Sequence, residues 1–163
     1  MLKKFLQGRA LNHTLHPMLV HLPVGLWVAS LIFDALYLVN GNSFFAVVSY
    51  YSILIGIVGA LVAAPAGFAE YVDIPKNSPA KQMATVHFSL NILAIALYAS
   101  NFFARSVSLF GAETVSGPQF LLTLVGITVL GIAGYFGGLL VYRYGVGLRL
   151  EEQKREETPK KAA

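Results

Sequence analysis

The chain has 163 residues, 56% hydrophobic and only 12% charged, with a formal net charge of +4 and no cysteine. Soluble globular chains are about 25% charged, so an ordinary water-soluble domain, a disordered tail and a nucleic-acid binder are all excluded despite the basic balance. The lack of cysteine excludes disulfides, thiolate-held iron–sulfur or zinc sites and covalent haem attachment, leaving His, carboxylates or a non-covalent cofactor for any redox chemistry.

The charges are segregated along the chain. Asp34 is the only Asp, Glu, Lys or Arg between residues 10 and 69, and none occurs from 83 to 104 or from 114 to 142. The opening Met1-Leu-Lys-Lys4 is similar to a signal-peptide n-region. However, the apolar run begins only after Pro17 and lacks a small-x-small cleavage site, so it is read as a retained first span.

Four spans are predicted, at 18–39, 44–68, 83–104 and 119–142, each longer than the roughly 20 helical residues a hydrocarbon core requires. In lipid the backbone must satisfy its own hydrogen bonds, so such runs are helices. The connection Asn40-Gly-Asn-Ser43 is a tight turn that makes the first two helices antiparallel neighbours. The loops at 69–82 and 105–118 combine Pro, Gly, Asn and Ser with charges, and no internal repeat stands out. The expected fold is an all-α integral membrane protein: a four-helix transmembrane bundle over 1–149, followed by a charged tail at 150–163.

Orientation follows from the cations. Lys3, Lys4, Arg9, Lys76, Lys81, Arg143, Arg149, Lys154, Arg155, Lys160 and Lys161 fall on one side and Arg105 alone on the other. This asymmetry predicts that both termini are cytoplasmic. The tail is expected to lie solvated near anionic headgroups.

Ionisable groups within a membrane are costly, which makes His21, Asp34 and His87 the functional candidates. His21 and His87 sit near the cytoplasmic ends of spans that run the same way. Two imidazoles at one depth on different helices suit axial ligation of a porphyrin iron, so both are candidate haem ligands; a cross-bundle hydrogen bond is the plainer alternative. Ala63, Ala64, Gly134 and Gly137 lie at that depth and are expected to line the ring. Arg143, or a Lys nearby, should then meet the propionates. Gly134-x-x-x-Gly138 and Gly56-x-x-x-Ala60 have close-packing spacing, so Gly134 and Gly138 are expected where the fourth helix meets a neighbour. His87, Asn91, Ala94 and Tyr98 recur on one helical face and should point inward. Asp34 is on another face near the outer end and is expected to be half-solvated. His13 and His16 precede the first span and are expected to be solvated at the surface. No nucleophile–base pair or P-loop occurs, and Gly145-Val-Gly147 reads as a helix stop.

The stretch from Gln7 through His13, His16-Pro17, His21, Pro23 and Gly25 to Trp27, then Asp34, resembles the opening of the bacterial predicted-membrane-protein family called domain of unknown function 2231. His87 with Asn91, and Gly137-Gly-Leu-Leu-Val-Tyr142-Arg-Tyr-Gly145-Val-Gly147, are similar to its later signatures. The chain departs from the pattern at Thr14, Leu139 and Tyr144, where the family more often has Pro, Glu and His. The resemblance implies four-helix membrane domains, many fused to a Rieske iron–sulfur domain or found beside cytochromes. It therefore implies a small subunit of a respiratory or photosynthetic electron-transfer complex in the bacterial inner membrane, partnered by a separate redox protein and by lipid. Three functional readings follow: a carrier with haem b on His21 and His87, a cofactor-free assembly subunit, or a small transporter or channel.

Overall fold

The computed structural model describes residues 6–7, 14–105 and 112–147. Four helices follow one another: α1 (Leu15–Asn40), α2 (Ser43–Asp73), α3 (Pro79–Arg105) and α4 (Gly117–Tyr142). Each is long and apolar enough to cross a membrane, and there is no strand among the described residues. The expected spans all lie within these helices, which extend beyond the apolar runs at the ends. His16 becomes helical in this way, and so do Glu70 and Asp73.

Local chemistry sets the turns. Gly41 ends α1 in the left-handed region at φ 69, which a side chain would strain. Asn42 then caps α2 by accepting from the Phe44 amide at 3.0 Å. Ser116 and Gln119 form a reciprocal capping box at the start of α4. Beyond Tyr142 the chain turns through Gly145 and Gly147, both at positive φ, so this segment is the helix stop its glycines imply.

The helices pack mainly as two hairpins, α1 with α2 and α3 with α4, with thinner contacts between hairpins. The hairpins are equivalent, which corrects the expectation of no internal repeat. Asp34 and Arg105 are 71 positions apart and form an ion pair across the bundle. The same separation relates Trp27 to Tyr98 and His16 to His87. Trp27 stacks on Tyr98 with centroids 4.1 Å apart, and the His16 and His87 rings are 6.4 Å apart. On the second helices the shift is 70 positions. Trp27 donates to the Ile53 carbonyl and lies against Gly56; Tyr98 donates to the Thr123 carbonyl and lies against Gly126. The pseudo-two-fold axis thus runs along the bundle, as in membrane proteins built of parallel repeats. At 1.5 Å rise per residue the three cross-axis layers are about 16 and 10 Å apart.

The layer formed by Asp34 corrects a second expectation. Asp34 and Arg105 are both 0% exposed rather than half-solvated. The guanidinium donates to both carboxylate oxygens, at 2.7 and 2.6 Å. Arg105 also donates to Asn101 Oδ1 at 2.9 Å, while Ser49 and Thr123 donate to the carboxylate at 2.5 and 2.8 Å. A buried ion pair is tolerated when its remaining hydrogen-bonding capacity is met this way. The sole cation counted on the outer side is therefore inside the bundle.

Candidate functional site

Between the aromatic layer and the end bearing Thr14 and Gly147 the four helices border a partly open cavity of about 540 Å³, within the usual range for small-molecule and cofactor sites. Its wall is apolar and small. α2 contributes Ala60, Ala63, Ala64 and Gly67, and α4 contributes Gly134, Gly137 and Gly138. His16, His87, Asn91 and Glu70 are among the polar side chains that line it, and Trp27 closes it at the aromatic layer. No Lys or Arg lines it among the described residues.

The two imidazoles are held alike. His16 Nδ1 meets the Ala63 carbonyl at 3.2 Å and His87 Nδ1 meets the Ala133 carbonyl at 2.8 Å. A carbonyl only accepts, so both rings carry a proton on Nδ1, and in the neutral imidazole this leaves the lone pair on Nε2. Each ring lies against the glycine four residues after that carbonyl. A Cβ at Gly67 would stand 2.7 Å from His16 Cε1, and one at Gly137 would stand 2.9 Å from His87 Cε1. These glycines are required for close approach rather than for backbone freedom. The Asn91 amide lies 3.3 Å from His87 Nε2 and donates to the His87 carbonyl at 2.7 Å. The ring planes are perpendicular, at 89°.

Several expectations are redistributed by this geometry. His21 is exposed on the outside of α1 and does not line the cavity; His16 faces His87 instead. The reason is helical phase, because His16, Val20, Pro23 and Trp27 share the inward face and His21 lies between them on the opposite side. His16, expected to be solvated, is half-buried on the cavity wall; His13 lies outside the described residues. Arg143 is exposed, with its guanidinium 5.7 Å from the Tyr144 ring, and is not part of the cavity. The cation beside the cavity is Lys81, which donates to the Tyr71 carbonyl at 2.7 Å and sits 3.3 Å over that ring. Ala63, Ala64, Gly134 and Gly137 all line the cavity. A Cβ at Gly134 would meet nothing within 4 Å, so it widens the cavity instead of marking a helix contact. A Cβ at Gly138 would reach only Tyr142 of its own segment, at 4.0 Å. The inward face of α3 is as expected, with Ala94 and Tyr98 at 0% exposure and His87 and Asn91 on the cavity.

The model of one family, described as predicted membrane protein (DUF2231), matches residues 12–149. The chain belongs to this family. The match spans all four helices and both histidines of the cavity, so the site lies wholly within the DUF2231 domain. Neither a curated protein nor a solved structure matches this DUF2231 chain.

Sequence reasoning missed His16 and Glu70 as cavity residues. For His16 a signal was available, because Thr14-x-His16 recurs as Thr85-x-His87, each followed by an aromatic residue 11 positions after the histidine.

Proposed function

We propose that this DUF2231 protein is a small electron-carrying membrane subunit that holds a b-type haem between His16 and His87. The observation that carries the reading is the matched pair of imidazoles across the pseudo-two-fold axis, each with Nδ1 bound to a carbonyl. A hydrogen bond of this kind from Nδ1 fixes the tautomer and raises the basicity of Nε2, as in protein-bound metals generally. A ligating imidazole nitrogen lies about 2 Å from its metal, so two rings on opposite faces of one ion stand about 6 Å apart centre to centre. The observed 6.4 Å fits this spacing. The small wall of α2 and α4 leaves room for a macrocycle, and Lys81 is the cation near the mouth for carboxylate substituents. When bound, the group supplies a one-electron ferric–ferrous couple. The surrounding chain would orient it and keep water away.

The test is the colour of the purified protein. A Soret band that shifts on dithionite reduction is expected. His16→Ala and His87→Ala should each abolish the low-spin spectrum, while His21→Ala should leave it unchanged. A colourless wild-type protein expressed with adequate haem supply, or loss of the spectrum only in the His21 variant, would overturn the assignment. A second reading, a cofactor-free assembly subunit, is favoured by the Asn91 amide near His87 Nε2, and the same spectrum separates the two.

The partner in this proposal is a separate redox protein or complex, and the setting is the bacterial inner membrane with both termini cytoplasmic. Support for the orientation comes from the lysines and arginines, of which all but Arg105 fall on one side. A reporter fused after Ala163 should be active in the cytoplasm, and one inserted in the 105–118 loop should be active outside. The reverse result would invert the topology.

A further inference from the structure

Among the described residues Glu70 is the one carboxylate lining the cavity. Its Oε1 is buried and has no hydrogen-bond partner among the described residues. A Cβ at Gly147 would stand 3.5 Å from Thr14 Cγ2 and 4.0 Å from Glu70 Oε2. The carboxylate is thus wedged where the start of α1, the last turn of α2 and the turn after α4 converge. It follows Gly67 by three residues on α2, the same helical face, and Gly67 is the seat of His16. Among the described residues no Lys or Arg on the cavity wall compensates a negative charge.

An ionised carboxylate taken from water without a partner is costly, and another negative charge in the same cavity adds to the cost. We infer that Glu70 takes up one proton from the adjacent aqueous side when the site gains one electron from a one-electron donor, and releases it on reoxidation. An O–H bond would form at the Glu70 carboxylate for each electron the bound group took up, so the cavity's net charge would be unchanged. The inference rests on the haem reading of the site.

Other titratable groups on the cavity wall include His16 from α1, Tyr71 from the helix of Glu70, His87 from α3 and Tyr142 from the end of α4. The imidazoles would be committed, with Nδ1–H held by carbonyls and Nε2 left to hold the group, and phenols are already protonated near neutrality. Lys81 is engaged by Tyr71, and Asp73 accepts from the Gln7 side chain. Glu70 is left as the group able to accept the proton.

The experiment is a spectroscopic redox titration of the detergent-solubilised full chain at a series of pH values around neutrality. The midpoint potential is expected to fall by up to about 59 mV per tenfold fall in proton concentration, and Glu70→Gln should flatten the dependence while keeping the Soret band. A pH-independent wild-type potential, or an undiminished slope in Glu70→Gln, would overturn the linkage while leaving the haem assignment standing. If Glu70→Gln fails to retain haem, the infrared difference spectrum of the wild type decides. A carboxylic-acid band that grows on reduction supports proton uptake, and its absence overturns it. A wild-type protein without haem overturns both.

Discussion

Arg105→Ala is expected to destabilise the bundle more than any change at the cavity. The guanidinium is 0% exposed and donates to both oxygens of Asp34, to Asn101 and to Ser49. Removing it leaves an uncompensated carboxylate among apolar helices. Breaking a buried pair costs about 3–5 kcal/mol, which corresponds to a fall on the order of 10 °C in the apparent melting temperature of a chain this size. Arg105→Lys should rescue little, because an ammonium is a point charge and cannot span the carboxylate as a fork does. The charge swap Asp34→Arg with Arg105→Asp should recover a substantial part of the loss, since the two residues occupy equivalent positions of the two hairpins. Thermal unfolding in one detergent, followed by circular dichroism, measures all three variants. Single variants as stable as wild type would remove the pair from the stability of the fold.

Gly56→Ala should be the most damaging single-methyl addition in the chain. A Cβ there would stand 2.3 Å from Trp27 Nε1 and 2.5 Å from Trp27 Cδ1. The indole cannot retreat, being 2% exposed and stacked on Tyr98. The helices α1 and α2 must therefore separate, and overpacking of this kind costs about 1–3 kcal/mol or more. Gly131→Ala is the matched control, because its added Cβ meets nothing within 4 Å. Alanine is favoured over glycine within a helix by about 1 kcal/mol, so that variant should unfold at an equal or higher temperature. If the two variants melt together, the tight Trp27–Gly56 contact does not limit packing.

The internal repeat shows how a pattern can be present in a sequence and still go unread. Leu54-Ile-Gly-Ile57 returns as Leu124-Val-Gly-Ile127, and Ala63 and Gly67 return as Ala133 and Gly137. These are residues any membrane helix uses freely, so the match carries little weight alone. Of the three cross-axis pairs only His16–His87 is an identity. Trp27 answers Tyr98, and Asp34 answers Arg105, because these residues facing each other across the pseudo-two-fold axis are complementary rather than alike. They form a stacked pair and an ion pair, and neither registers as similarity.

Amino-acid sequence alone determined that this is a four-helix membrane protein with breaks near residues 41, 76 and 111. Charge exclusion from long apolar runs and turn chemistry at Gly41 and Asn42 are local properties, and lipid leaves the backbone no choice but helix. Sequence also marked His87 and the small residues Ala63, Ala64 and Gly137 at one depth. Which histidine meets His87 was beyond its reach. His16 and His21 differ by five residues, nearly opposite sides of a helix of 3.6 residues per turn, and an all-round apolar helix carries no stripe to show which side faces inward. The same ambiguity hid the burial of Asp34, because its partner lies 71 residues away and only helix packing brings the two charges together. Tertiary structure decided rotation and pairing, since in a bilayer both faces of a helix are apolar and only contacts between helices distinguish them.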